Sequence, residues 1–133
     1  MKTSLIIEAR SKSKRFPNKI LKYCHKKITF LEYMIRRLKG LKFIDNIIVA
    51  TTENEYDDKI VSISNKLKVD CFRGSESNVT QRVIRAAKHY QTDLIVRATS
   101  DCPLIDLDLI SQAYNTFLRN KVDYVSNGFV DDT

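Results

Sequence analysis

The length of 133 residues and the apolar fraction of 43% fit one globular domain. Only three glycines and two prolines interrupt the chain, which excludes collagenous and linker compositions. The formal net charge of +7 allows nucleic acid, a membrane surface or a small polyanion as partner and does not choose among them.

Hydropathy and cysteine usage predict a cytoplasmic protein without a membrane partner. No run approaches the roughly 20 apolar residues of a membrane helix, and the first residues lose their hydrophobicity too soon for a secretory signal. The three cysteines form an odd set without metal-ligand spacing, so we expect reduced thiols at Cys24, Cys71 and Cys102.

Four short apolar runs predict buried strands, because each is rich in isoleucine, leucine or valine. In chain order they are TSLIIE at 3–8, NIIVAT at 46–51, VDCF at 69–72 and DLIVRA at 93–98. Helical spacing of apolar residues predicts a helix after each strand, over about 30–38, 60–67, 79–90 and 109–118. Asn78 with Gln81 looks like a capping pair, Asp106 like an N-cap, and Gly40 can end the first helix.

This alternation implies an α/β fold, a parallel sheet with helices on both faces. Ligands of such sheets bind beyond the carboxyl ends of the strands. We therefore expect four loops to converge on one rim: EARSKSKRFPNK, ATTEN, FRGSESN and ATSDCP. The tail from Val122 can begin a fifth strand.

The first loop, residues 8–19, concentrates positive charge. Its cations are Arg10, Lys12, Lys14, Arg15 and Lys19. Most lysine-rich loops are merely solvated, but arginine and lysine at a strand-to-helix turn also suit phosphate. Neither GxGxxG nor GxxxxGK[ST] is present, so a different phosphate loop is needed. Because the densest cluster of cations lies in one short loop, a compact anion is favoured over nucleic acid.

The loop EARSKSKRFPNKIL resembles the signature of the nucleotide-activated sugar cytidylyltransferases. IDNIIVATTENEYDD, FRGSESNVTQR and VRATSDCPLID resemble the SpsF-type branch, named for a spore coat polysaccharide biosynthesis protein, so the resemblance spans nearly the whole chain. It implies a glycosyltransferase-A-like, Rossmann-like, three-layer fold. It also implies transfer of CMP from CTP to a sugar, with release of pyrophosphate and with Mg²⁺ as cofactor, for cell-surface polysaccharide biosynthesis.

The resemblance assigns roles within the first loop. Arg10 and Lys19 hold the triphosphate, Ser13 and Arg15 shape or contact the loop, and Ala9 lets the backbone approach the cytosine. Phosphoryl transfer depends largely on positioning and charge neutralisation, so cations and a metal ion are the groups that this chemistry requires.

The other loops supply further candidates. Asp101 follows the last strand and can bind magnesium, which prefers one or two carboxylates, or can form a turn before Pro103; the resemblance favours the metal role. Arg73 and Arg82 can reach phosphate or ribose or form surface ion pairs. Gly74 can admit the nucleotide or simply make a turn.

Several residues depart from the family pattern. Glu8 replaces glutamine or proline and needs compensation by Arg10 or Lys12. Lys12 and Asn18 replace frequent glycines, where a positive φ is strained for lysine and less so for asparagine. Ser100 also replaces a frequent glycine.

Family members continue beyond VDYVSNGFV with a segment that binds the acceptor, supplies a second acidic metal ligand and builds a dimer contact. We therefore expect residues 1–133 to be a single nucleotide-binding domain, apparently without its acceptor-binding part, and a possible homodimer. Asp131 and Asp132 are candidates for the second ligand, although termini are usually frayed.

Two other functions remain open. One is a non-catalytic nucleotide-binding or interaction module descended from this family. The other is a basic nucleic-acid-binding domain, which predicts salt-sensitive oligonucleotide binding without a preference for CTP.

Overall fold

A computed structural model of the chain describes residues 1–128. The strands are β1 (Thr3–Glu8), β2 (Tyr23–His25), β3 (Ile28–Thr29), β4 (Asn46–Thr52), β5 (Asp70–Gly74) and β6 (Leu94–Thr99). The helices are α1 (Phe30–Leu38), α2 (Asp58–Lys66), α3 (Val79–His89) and α4 (Leu107–Arg119). Short 3-10 turns occupy Lys19–Leu21 and Glu55–Asp57.

The main sheet has the order β5-β4-β1-β6, and all its strands are parallel. The first strand of the chain therefore lies inside the sheet, with Ile6 beside Ile48 of β4 and Arg97 of β6. All four predicted strands and all four predicted helices are confirmed, with boundaries shifted by at most a few residues.

Helices cover both faces of the sheet, as the alternation of strands and helices predicts. Leu5 and Ile7 of β1 belong to one buried cluster, which includes side chains of α1, α2 and α4. Ile6 points to the opposite face and packs in a second cluster with α3. Successive residues of β1 thus serve different halves of the core, because side chains alternate across a strand.

A buried carboxylate joins α1 to α2. The side chain of Glu32 is only 2% exposed, and its oxygens accept hydrogen bonds from Arg36 Nη2 at 2.7 Å and Lys66 Nζ at 3.3 Å. The backbone N–H of Glu32 donates to Thr29 Oγ1, which caps α1. The hydrogen bond from Arg36 lowers the pKa of Glu32, and Lys66 adds to this against the opposing effect of burial.

Local signals identify the helix starts, whereas a small hairpin was not predicted. The Asn78 side chain accepts from Gln81 N–H at 2.9 Å, and Asp106 Oδ1 accepts from Asp108 N–H at 2.8 Å, so both predicted caps are confirmed. The antiparallel pair β2 and β3 lies within the predicted loop before α1. Its strands have three and two residues, and β2 is fully exposed, so no apolar pattern marks it.

The predicted fifth strand is absent from the part of the tail that the structure describes, residues 122–128. Asp131 and Asp132 lie outside the described residues. None of the helices within residues 1–128 is long and apolar enough to cross a membrane.

Candidate functional site

A cavity of about 310 Å³ opens where β1 and β6 end, with the first turn of α3 forming part of its wall. Seven of the residues predicted for the site line it: Ala9, Arg10, Ser13, Arg15, Lys19, Arg82 and Asp101. The cavity forms at this edge because the carboxyl ends of parallel strands release their loops on the same side of the sheet.

The loop after β1 is closed by backbone hydrogen bonds. Ala9 is buried and donates its N–H to the Ala50 carbonyl at 3.1 Å, while Asn18 N–H donates to the Ser11 carbonyl at 2.8 Å. Asn18 adopts a φ of 57°, the left-handed conformation that asparagine tolerates. Lys12 does not have a positive φ, so the strain considered there does not arise.

Side chains alternate between buried and exposed at the start of this loop, so its charged side chains there face outward. Ala9 and Ser11 are buried, whereas Arg10 and Lys12 between and after them are exposed. Ser13 Oγ accepts from Phe16 N–H at 3.3 Å and so helps to shape the turn. Four of the five cations of the loop, Arg10, Lys12, Arg15 and Lys19, line the cavity.

Asp101 faces Lys19 across the cavity. Their Oδ2 and Nζ atoms lie 4.0 Å apart, and the side chains are 56% and 42% exposed. Interaction with the Thr99 hydroxyl, followed by the positive charge of Lys19, lowers the pKa of Asp101 against partial desolvation. The carboxylate is therefore ionised at neutral pH and accessible from the cavity.

Arg82 is the least expected part of the wall, because it is an arginine with only 1% exposure. Its Nη1 donates to the Ser75 carbonyl at 2.8 Å, while its Nε has no hydrogen-bond partner among residues 1–128. Burial lowers the pKa of Arg82, and the nearby Arg10 lowers it further. A buried guanidinium with an unused donor beside an open cavity is suited to an anionic or carbonyl oxygen.

Comparison with known proteins places this site in a family. The cytidylyltransferase family model matches residues 4–133. The chain belongs to the cytidylyltransferase family. It is 45% identical over 126 residues to the uncharacterized protein MJ1063 of Methanocaldococcus jannaschii, covering 95% of this chain and 51% of that protein. It is 32% identical over 123 residues to the spore coat polysaccharide biosynthesis protein SpsF of Bacillus subtilis, covering 90% and 51% respectively.

A solved structure supports the same assignment. A cytidylyltransferase from Leptospira borgpetersenii serovar Hardjo-bovis superposes with a TM-score of 0.85 at 44% identity, over 91% of this chain and 50% of that one. The predicted nucleotidyltransferase fold is thereby confirmed. The chain spans about half the length of the relatives it matches.

Arg73 and Gly74, the other two residues predicted for the site, do not line the cavity. Arg73 donates to the carbonyls of Thr52 and Asn54 at 2.7 and 2.6 Å and pairs with Asp58 Oδ1 at 2.7 Å. Of the two roles open to Arg73, the structure shows the ion pair. Gly74 leaves space for the side chain of Arg82, because a Cβ at position 74 would lie 3.1 Å from Arg82 Cγ.

Glu8 is compensated by a residue that was not predicted. Its Oε1 pairs with Arg97 Nε of β6, and not with Arg10 or Lys12. The hydrogen bond that Arg97 donates to Glu8 raises the pKa of Arg97. Strand adjacency brings the pair together, since β1 and β6 are parallel neighbours. Only knowledge of the strand order could have revealed this pairing from the sequence.

The cavity offers one available carboxylate to a magnesium ion. Within residues 1–128, no group of three histidine, cysteine, aspartate or glutamate side chains is placed to hold a metal ion. Glu8 is engaged by Arg97, which leaves Asp101 as the accessible carboxylate. Mg²⁺ is often bound by one or two carboxylates together with water and phosphate oxygens, so this single carboxylate is compatible with it.

Proposed function

We propose that this chain carries the CTP-binding site of an enzyme that transfers CMP from CTP to a sugar and releases pyrophosphate. The observation that carries the proposal is the cavity itself, which is lined by Arg10, Lys19 and Arg82 together with the accessible carboxylate of Asp101. The kinship with SpsF favours cell-surface polysaccharide biosynthesis as the process that uses the product.

Each side chain has a role that matches its environment. Arg10 and Lys19 bind the triphosphate, and the buried Ala9 leaves space beside the backbone for the base. Ser13 and Arg15 maintain or contact the same loop. The guanidinium of Arg82 donates to a nucleotide oxygen, because its Nε is buried without a hydrogen-bond partner among residues 1–128. Asp101 would hold Mg²⁺ against the phosphates.

The reaction requires little covalent chemistry from the protein. A sugar hydroxyl oxygen attacks the α-phosphorus of CTP, the bond from that phosphorus to the bridging oxygen breaks, and pyrophosphate leaves with the bond's electron pair. The hydroxyl proton passes to solvent or to a base. Positive charge near the β- and γ-phosphates stabilises the leaving group, and the cations of the loop provide that charge. Bound Mg²⁺ supplies further neutralisation of phosphate charge.

Calorimetric titration with CTP, UTP, ATP and GTP, with and without Mg²⁺, tests the proposal. We expect magnesium-dependent binding with a preference for CTP. Arg10→Ala or Lys19→Ala should each weaken CTP binding by about 1.5–3 kcal/mol, the range for hydrogen bonds to charged groups.

Lys14→Ala is the matched control for these variants. Lys14 lies in the same loop but does not line the cavity, so its removal tests net charge without touching the site. We expect CTP affinity to change little. Equal losses in all three variants would indicate general electrostatic attraction, and unchanged affinity in folded Arg10→Ala and Lys19→Ala would remove the loop from the site.

A nucleotide-binding module without its own catalysis is the second candidate. Of the two carboxylates that line the cavity, Glu8 is paired with Arg97 and only Asp101 is accessible, which favours this alternative because binding needs fewer acidic groups than transfer. The two functions differ in one assay. CTP binding without pyrophosphate release in the presence of candidate sugars indicates the module.

A further inference from the structure

Asp57 is a buried carboxylate that lies behind the cationic loop and has no place in the function proposed so far. It ends the 3-10 turn Glu55–Asp57, which follows β4, and is 3% exposed. It does not line the cavity, whereas Ser11 in front of it does. The contacts of Asp57 therefore reach the cavity through the loop, and its charge also acts on Arg82 at longer range.

Every hydrogen-bond donor to this carboxylate is neutral. Oδ1 accepts from Ser11 N–H at 2.7 Å and from Ser11 Oγ at 2.7 Å, and Oδ2 accepts from Thr52 Oγ1 at the end of β4. In residues 1–128, no lysine, arginine or histidine nitrogen lies within 4.0 Å of Asp57. A buried carboxylate without a salt bridge is costly unless hydrogen bonds satisfy it. Asp57 therefore needs these three hydrogen bonds in order to stay buried.

The contacts fix one residue of the loop on several sides. Asp57 holds the N–H and the hydroxyl of Ser11, and Asn18 N–H donates to the Ser11 carbonyl at 2.8 Å. The same 3-10 turn contacts the next residue, since Lys12 Nζ lies 4.0 Å from the centre of the Tyr56 ring. The start and the end of the loop are thus tied to the end of β4.

Because Ser11 is held inward, its neighbours must face outward. Arg10 and Lys12 are exposed and line the cavity, while Ser11 is buried between them. Burial opposes ionisation of Asp57, but hydrogen bonds from Thr52 and Ser11 hold its pKa below the ordinary value. The carboxylate therefore stays charged and keeps its acceptor strength throughout the neutral range.

We propose that Asp57 is a positioning residue for polyphosphate binding, acting through Ser11 to set the direction in which the flanking cations of the loop project. This inference rests on the proposed function, because it assigns the loop a polyphosphate ligand. Asp57 does not itself touch that ligand. Its contribution is to fix the backbone before the ligand arrives, so that less order must be gained on binding.

Asp57→Asn tests the inference, with Glu32→Gln as its control. Both changes replace a buried carboxylate with its amide, but Glu32 joins α1 to α2 and does not line the cavity. Two quantities are measured well below the unfolding temperature of each variant. The first is the Kd for inorganic tripolyphosphate and for CTP, and the second is hydrogen exchange of residues 9–16 without ligand.

We expect Asp57→Asn to raise both Kd values by about tenfold or more, a common cost of losing a group that orients a binding residue. It should also speed exchange in residues 9–16. Glu32→Gln should lower stability while leaving the Kd values and loop exchange unchanged. A loss of stability in Asp57→Asn with unchanged Kd and unchanged loop exchange overturns the proposal, because the role is then purely structural.

Ser11→Ala serves if Asp57→Asn does not fold. It removes the hydroxyl contact and retains the N–H contact, so we expect a partial increase in Kd and in loop exchange. Absence of both effects in folded Ser11→Ala contradicts the inference. Failure of the wild-type chain to bind CTP and tripolyphosphate refutes the proposed function instead, whereas the exchange data still decide whether Asp57 holds the loop.

Discussion

At the scale of single residues, side chains in the cavity differ in how much of the fold depends on them. Asp101 and Lys19 are both substantially exposed, with 4.0 Å between their charged atoms. Exposed pairs of this kind contribute little to stability. Arg82, by contrast, is buried against Gly74. Substitutions at Asp101 therefore report on function, whereas substitutions around Arg82 affect folding and function together.

Asp101→Asn should abolish the enhancement of CTP binding by magnesium while leaving the fold intact. The amide keeps the size of the side chain but loses the negative charge that Mg²⁺ prefers. Calorimetry with and without Mg²⁺ measures the effect, and circular dichroism checks the fold. Asp108→Asn, an exposed change in the first turn of α4, is the control. Equal enhancement by magnesium in Asp101→Asn and wild type would exclude Asp101 as the metal ligand.

Gly74→Ala should destabilise the protein by about 1–3 kcal/mol, the usual cost of overpacking. The added Cβ would lie 3.0 Å from Phe72 Cε1 and 3.1 Å from Arg82 Cγ, so the buried arginine must shift. Urea unfolding measures the loss, and CTP affinity should fall with it. Gly128→Ala is the comparison, because among residues 1–128 its new Cβ meets only the Ser126 hydroxyl, at 3.2 Å. Equal stability of the two variants would show that the contact at Gly74 relaxes without cost.

The sequence predicts residues that act within one loop better than residues that act across the fold. Arg10, Lys19 and Asp101 are recognisable because each stands in a short motif directly after a strand. Asp57 and Arg97 are not recognisable in this way, because their partners lie far away along the chain. Asp57 contacts Ser11 in the loop after β1, and Arg97 contacts Glu8 in β1. Such contacts depend on which strands are neighbours, and a single sequence does not state that.

At the scale of elements, the contact between α1 and α2 includes one buried charge. Glu32 is buried and accepts hydrogen bonds from a residue of its own helix and from Lys66 of α2. Position 32 is not among the apolar positions that predict α1, so the sequence does not indicate that Glu32 is buried. The caps of α3 and α4 are predicted correctly because they depend only on residues two or three positions apart.

Glu32→Gln should lower the free energy of unfolding at pH 7 by about 1–3 kcal/mol, because hydrogen bonds to a buried charged group are lost. The pKa of Glu32 is lowered in the folded state. Its stabilising contribution is thus present above the unfolded-state pKa and is lost as pH falls through the folded-state value. Urea unfolding between pH 7 and pH 3 should therefore show a smaller loss of stability on acidification in the variant. A constant difference between the two proteins across that range would contradict the role of the charge.

At the scale of the whole molecule, β1 unites the two halves of the core. Ile7 packs with the cluster that includes α1, α2 and α4, and Ile6 packs with α3 on the other face. Both residues are fully buried. The layered α/β architecture was predictable because strand-like and helix-like patterns of apolar residues alternate along the sequence. The order β5-β4-β1-β6 was not, because periodicity does not state which strands are neighbours.

Ile6→Val and Ile7→Val should each lower stability by about 0.5–1.5 kcal/mol and leave a single unfolding transition. The two changes remove one methylene each from opposite faces of the same strand. Circular dichroism and tyrosine fluorescence followed during urea unfolding should give coincident curves for both variants. A variant in which the two probes separate would show that the halves of the core unfold independently.

The central position of β1 also governs the order of events at the ribosome. Strand β1, residues 3–8, acquires one neighbour only when residues 46–52 have been made and the other only when residues 94–99 have followed. Until then a nascent chain carries an apolar segment with at least one open edge, the kind of surface on which unfinished chains associate. Translation must therefore pass Thr99 before β1 can have both of its neighbours, and any pause before that point prolongs the period in which the nascent chain exposes this edge.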